Sequence, residues 1–193
     1  MRKAISLAAI LLLTGGVGAE PFHHPFGEWR EYNRDWLAAC PDVIDEDAGS
    51  YYYHSCFAST GSQELNGAGL PAYKLTLVRN RLNGALDLAI TVSPEEGEYD
   101  QARPISLTFG GEEPITLEFG TEIETRYNTI NQFFVSDPEL LASVVETMKD
   151  RNAVTLSVPL LGRADPVETW LSLRGVLASL DFMATYARKV AQY

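Results

Sequence analysis

Three histidines, His23, His24 and His54, are the only imidazoles in a chain of 193 residues. They limit the acid–base and metal chemistry the sequence can offer. His54 lies in the run Tyr51-Tyr52-Tyr53-His54-Ser55-Cys56-Phe57, with no nucleophile patterned beside it, so a hydrolase built on His54 is the remotest reading. It is expected instead to be a strand histidine with its hydrogen bond satisfied. Gly-x-Ser-x-Gly, His-Glu-x-x-His and the Gly-x-x-x-x-Gly-Lys-Ser/Thr phosphate loop are all absent from the sequence, which removes the main signatures of serine hydrolases, zinc proteases and nucleotide-dependent enzymes.

His23-His24 is the best metal candidate, with a carboxylate such as Glu20 or Glu28 as a further donor. Adjacent imidazoles rarely converge on one ion without more ligands, so no metal site is expected. Asp42, Asp45, Glu46 and Asp47 lack the spacing of a calcium loop and read as a solvated segment. Glu95-Glu96 and Glu112-Glu113 are paired in sequence but sit at expected turns, whereas glycosidic chemistry needs two carboxyls facing across a cleft. The expected catalytic set is therefore empty. Tyr51, Tyr52 and Tyr53, with Trp29 and Trp36, are the aromatic candidates for a glycan or peptide surface. Strand alternation would send Tyr52 to one face and its two neighbours to the other.

Cys40 and Cys56 are the only cysteines. In a chain that passes through an oxidising compartment they are expected to form a structural disulfide, worth about 3 kcal/mol by loop-closure entropy. A redox role would call for the Cys-x-x-Cys spacing that this pair lacks.

The elements that must position these residues are mostly strands. An aromatic opening segment, residues 20–36, is expected to pack across the domain. The β-prone tyrosine run follows, so that the disulfide joins two strands near the N-terminus. Period-2 alternation predicts hairpins over Tyr73–Val92 and over Ile105–Phe119, broken by Gly110-Gly111, and one or two short strands between Ile123 and Val135. Asp137-Pro138 reads as the start of a helix over 138–149. Strands over 153–159 and 167–173 make a third hairpin. A last helix from about Gly175 to Val190 should bury Val176, Leu177, Leu180, Met183, Ala184 and Ala187.

The first 19 residues read as a secretory signal peptide: Arg2-Lys3, a ten-residue apolar run from Ala4 to Leu13, then Val17-Gly18-Ala19 as the cleavage site. The run is half the roughly 20 apolar residues a membrane span needs. Residues 20–193 then form a single β-rich domain. The formal net charge is −11; losing Arg2 and Lys3 takes 15 cationic residues to 13 against 26 carboxylates, a net of −13. Such a surface repels phosphate backbones and argues against a nucleic-acid partner.

Three stretches resemble the invasion-associated locus B family of exported bacterial proteins. Phe26-Gly27-Glu28-Trp29 and Asp35-Trp36-Leu37-Ala38-Ala39-Cys40, followed by Cys56, are similar to its opening tryptophan and cysteine pattern. Leu88 to Gly97 with Ile105-Ser106-Leu107 is similar to its central strand, turn and strand, and Leu171 to Leu180 to its closing strand and glycine-initiated helix. Family members often carry a second cysteine pair ahead of the internal helix, which residues 119–136 lack. The resemblance implies a mainly β, antiparallel, β-sandwich-like exported protein with one internal and one C-terminal helix, and it brings no catalytic residues. The resulting expectation is a non-enzymatic envelope protein of a Gram-negative bacterium, periplasmic or extracellular. It would meet an envelope or host protein, or a glycan, without a cofactor and without a transmembrane anchor in the mature chain. The alternative is an acidic inhibitor or small-ligand-binding protein of the periplasm.

Overall fold

A computed structural model of the protein describes residues 19–45, 51–127 and 129–189. The leader expected over 1–19 lies outside these apart from Ala19, as do Glu46 and Asp47. In chain order the first strands are β1 (Phe22–His24), β2 (Glu28–Asn33), β3 (Trp36–Pro41), β4 (Ser55–Gly61), β5 (Tyr73–Asn80) and β6 (Leu86–Val92). They continue as β7 (Ile105–Thr108), β8 (Ile115–Leu117), β9 (Ile123–Thr125) and β10 (Gln132–Val135). Helix α1 (Pro138–Asp150), strands β11 (Ala153–Val158) and β12 (Val167–Ser172), and helix α2 (Val176–Lys189) complete the chain. The protein is mainly β, with two antiparallel sheets and two helices.

The larger sheet has the order β1-β2-β3-β4-β5-β6-β10-β9, and the smaller the order β12-β11-β7-β8. The three expected hairpins are present as β5–β6, β7–β8 and β11–β12. Alternation sorts the faces as the sequence pattern implies. Trp36, Ala38, Cys56, Leu75, Leu77, Leu88, Ile90 and Phe133 from the large sheet share one buried cluster with Leu107, Leu156 and Leu171 from the small one. Val176, Leu180 and Met183 of α2 join the same cluster, as do Val144, Val145 and Met148 of α1. Each such leucine, valine or methionine contributes roughly 1.5–3 kcal/mol by leaving water. Helix α2 contacts β2 to β5, and β12 contacts β4 and β5, so helix and small sheet cover the same face of the large sheet. Asp137 caps α1 by accepting from the Leu140 N–H at 2.8 Å.

Three expectations are corrected. The tyrosine run is not a strand: Tyr51–His54 forms a 3₁₀ turn and the strand begins at Ser55. The ladder explains this, because Ser55 pairs with Asn80 at the last rung of β5, and the residues before it must turn back toward β3. Topology overrides the β-propensity of tyrosine here. The aromatic opening does not lie across the domain; it forms the β1–β2 hairpin and extends the large sheet edge to edge. Leu177 is 53 % exposed, because it falls just outside the helical arc that carries Val176, Leu180 and Met183.

The turn between β2 and β3 docks on the junction of β12 with α2. Trp36 Nε1 donates to the Ser172 carbonyl at 3.0 Å, Asn33 Nδ2 to Ser179 Oγ at 3.3 Å, and the Asp35 N–H to the Arg174 carbonyl at 3.3 Å. Asp35 also accepts from the Ser172 hydroxyl at 2.6 Å and from Arg174 Nη2 at 2.8 Å. The Ser172 hydrogen bond holds the Asp35 carboxyl below the usual aspartate value, outweighing partial desolvation, with the Arg174 guanidinium adding to it. At Gly175 φ is +109°, and a Cβ there would lie 1.8 Å from the Asn33 carbonyl oxygen. Only glycine lets the two segments meet.

Gly175→Ala should therefore cost about 3–5 kcal/mol, combining a strained backbone with an overpacked contact. Gly84→Ala, at φ +77° with open space around it, should cost only about 1–2 kcal/mol; urea unfolding of both variants checks the difference. The lowered Asp35 pKa stabilises the fold at pH above its unfolded value, and this contribution is lost as pH falls below about 4 through the folded value. Asp35 is over a third exposed, so the effect should stay within about 1 kcal/mol. Stability measured from pH 6 to 2 should show wild type and Asp35→Asn converging toward acid.

Candidate functional site

Cys40 on β3 and Cys56 on β4 form the disulfide, with Cα atoms 4.2 Å apart. The register pairs Ala39 with Phe57 on these strands, so the bridge sits on the next rung of one ladder and is a structural cross-strand link. The histidine pair does not converge. His23 and His24 are consecutive on β1 and alternate across the strand; His23 Nε2 bonds Asp42 Oδ2 at 2.6 Å, while His24 Nδ1 accepts from the Phe26 N–H. Glu28 is buried and held by Arg30 and by the Tyr52 hydroxyl, which donates at 2.5 Å. Burial, with the hydrogen bond to Glu28, pushes the Tyr52 phenol up to about 12. No group of three or more histidine, cysteine or acidic side chains among the described residues is placed to hold a metal ion.

The carboxylate pairs do structural work at their turns. Glu95 accepts from the Gly67 N–H at 2.5 Å, Glu96 from the Tyr73 hydroxyl at 3.3 Å, and Glu112 pairs with Arg151. Three of the aromatic candidates, Trp29, Trp36 and Tyr52, turn inward. Trp36 is 1 % exposed, Trp29 lies against Tyr186 at 5.5 Å between ring centroids, and Tyr52 lies against Phe57 at 5.2 Å. Tyr53 is half exposed beside Tyr52.

The exposed indole is Trp170, on β12, 48 % exposed. Its register places it in the cross-strand row Thr108–Thr155–Trp170, and the parallel row reads Thr116–Ser106–Ser157–Glu168. All these residues face away from Leu107, Leu156 and Leu171, so the outer face of the small sheet is a flat field of hydroxyls with one aromatic ring. None of the five Ser and Thr hydroxyls makes a hydrogen bond to another described residue. Strand spacing sets neighbouring hydroxyls about 4.8 Å apart, close to the width of a pyranose ring. Depressions flank the indole on both sides. One, of about 400 Å³, is lined by Gly110, Gly111, Asp150, Arg151 and Asn152 together with Thr155; the other, of about 390 Å³, by Gln63 and Glu64. Glu64 accepts from the Thr169 hydroxyl at 2.7 Å, which holds its carboxyl below the usual glutamate value.

The sequence carried a signal for this ring. If Val167, Thr169 and Leu171 face inward, Glu168 and Trp170 face out. Sequence reasoning weighed the other two tryptophans and passed over the one that alternation exposes.

A second concavity of about 380 Å³ lies between the segment after β6 and the β9–β10 loop. Val92, Tyr99 and Phe133 give it an apolar floor, Glu98, Gln101 and Asn131 give it polar rims, and Ile130 stands 85 % exposed beside it. Arg103 braces one wall by donating to Asp100 and to the carbonyls of Leu160, Arg163 and Ala164.

No helix among the described residues is long and apolar enough to cross a membrane. The chain matches no known family model, no curated protein and no solved structure.

Because Trp170 is the solvent-facing indole and Trp36 is enclosed, iodide quenching of intrinsic fluorescence should fall by more than half in Trp170→Phe. A Trp29→Phe variant should retain most of the quenching.

Proposed function

We propose that this chain is an exported, non-enzymatic envelope protein that binds a neutral glycan on the outer face of its small sheet. The observation that carries the reading is Trp170, an exposed indole in a flat field of uncommitted hydroxyls between two depressions. The C–H face of a sugar ring lies against an indole at the cost of little polar desolvation, while Ser and Thr hydroxyls serve as donor or acceptor to ring hydroxyls. Asn152, Arg151, Gln63 and the ionised Glu64 line the flanks, where neighbouring sugar units of a chain would lie.

Charge argues for a neutral glycan over a sialylated or uronic one. Glu64, Glu168 and Asp150 surround the indole, Arg151 is already paired with Glu112, and the whole chain carries a net −11. A disulfide between neighbouring strands fits a chain folded outside the cytoplasm, and the resemblance of three sequence stretches to invasion-associated locus B proteins is what suggests a bacterial envelope. The absence of a catalytic cluster in the sequence pattern is why binding is preferred to turnover.

Glycan-array screening of the mature protein, followed by titration calorimetry of the best ligand, tests this. Neutral hexose oligomers should bind with micromolar to millimolar affinity. Trp170→Ala should weaken them at least tenfold, while Thr155→Val should weaken them about two- to fivefold, with unfolding midpoints little changed. The apolar-floored cleft between the segment after β6 and the β9–β10 loop favours a second reading, a small-ligand carrier. Unchanged binding in Trp170→Ala, together with loss in Ile130→Asp, would transfer the function to that cleft and overturn the glycan face.

A further inference from the structure

The cleft between the segment after β6 and the β9–β10 loop has a volume of about 380 Å³, at the small end of the range for sites that enclose a small molecule. Its floor is apolar and fixed by packing. Val92, Tyr99 and Phe133 are each 5 % exposed or less, and the Tyr99 and Phe133 rings meet edge to face at 4.8 Å between centroids. Phe119 backs both rings. Ile130 stands in water beside this floor, apolar area that a bound molecule would cover.

What the cleft asks of a ligand follows from its hydrogen-bonding groups. Three of its donors are spent inside the fold. Tyr99 Oη donates to the Arg103 carbonyl at 2.8 Å, Thr129 Oγ1 to the Arg126 carbonyl at 2.8 Å, and Asn131 Nδ2 to the Val92 carbonyl at 3.0 Å. The bond to Val92 fixes the Asn131 amide, so its uncommitted atom is the acceptor Oδ1, and Thr129 likewise keeps only acceptor capacity. Gln101 and Thr125 serve either way.

Among the described residues Glu98 is the only charged side chain in the lining, and its carboxylate has no hydrogen-bond or ion-pair partner there. Arg103, which braces the wall, is spent on Asp100 and three carbonyls. An anionic ligand would therefore meet like charge and unmatched acceptors. A cation with N–H donors would meet opposite charge and matching acceptors, and the net −11 of the whole chain favours its approach.

The geometry points to a site for a small organic cation, a primary ammonium on an aromatic or short aliphatic body, its charge against Glu98 and its body on Val92, Tyr99 and Phe133. The site is separate from the Trp170 face and stands whether or not that face binds a glycan.

NMR titration of the isotope-labelled mature chain with phenethylammonium, phenethyl alcohol and hydrocinnamate tests it, because the three probes share one ring and differ in charge. The ammonium should bind at one site with millimolar or better affinity, and about three- to tenfold tighter than the alcohol. Hydrocinnamate should not bind measurably. Amide shifts should gather at Tyr99, Asn131 and Phe133 and spare Trp170. Glu98→Gln, at an exposed carboxylate without a partner, should leave the unfolding midpoint in place, weaken the ammonium about three- to fivefold and leave the alcohol unchanged. Thr125→Phe, which fills the cleft from β9, should weaken both. Equal affinity for ammonium and alcohol, undiminished ammonium affinity in Glu98→Gln, or shifts centred outside the cleft overturns the site.

Discussion

The contact between the β2–β3 turn and the β12–α2 junction joins the two ends of the described chain. Trp36 reaches across 136 residues to the Ser172 carbonyl, and Asn33 across 146 to Ser179. Gly175 is what allows the approach, since any side chain there would collide with the Asn33 backbone. This contact fixes where α2 begins, and therefore how it lies over β2 to β5. With α2 set, the small sheet has one remaining place on the inner face of the large sheet. The hydrophobic core then follows from a few polar bonds and one missing Cβ: apolar burial supplies the magnitude and the junction supplies the arrangement.

The same arrangement leaves the small sheet with one face buried and one open. Its strands carry Leu107, Leu156 and Leu171 inward, which holds the outward row Thr108–Thr155–Trp170 on a rigid surface instead of on loops. Side chains set by a packed ladder lose little freedom when a ligand arrives, which is the condition under which weak hydroxyl and indole contacts add up to measurable affinity. Loops on either side contribute Arg151, Asn152, Gln63 and Glu64. Hydroxyls and a ring sit on the rigid part, and charged or amide groups on the adjustable part.

Polar groups elsewhere are closely accounted for. Glu28 is met by Arg30 and Tyr52, Arg103 by four acceptors, Asp35 by Ser172 and Arg174. Against that background the unpaired donors of Arg79 and Arg81 stand apart. They lie where β5 ends beside the start of β4.

By itself the sequence determined the disulfide, the mainly β class, the three hairpins, both helices and the cap at Asp137, because each rests on local periodicity, turn chemistry or a single possible pairing. It also determined that Trp170 faces away from Leu171, though nothing local distinguished that indole from Trp29 and Trp36. Tertiary structure alone decided which tryptophans are covered: Trp36 by the β12–α2 junction 136 residues away, and Trp29 by Tyr186 of α2. It likewise decided that the tyrosine run turns instead of pairing. Those outcomes depend on register between strands distant in sequence and on which sheet face receives a second layer. Neither leaves a mark on local composition, because the same alternating pattern serves a covered face and an open one.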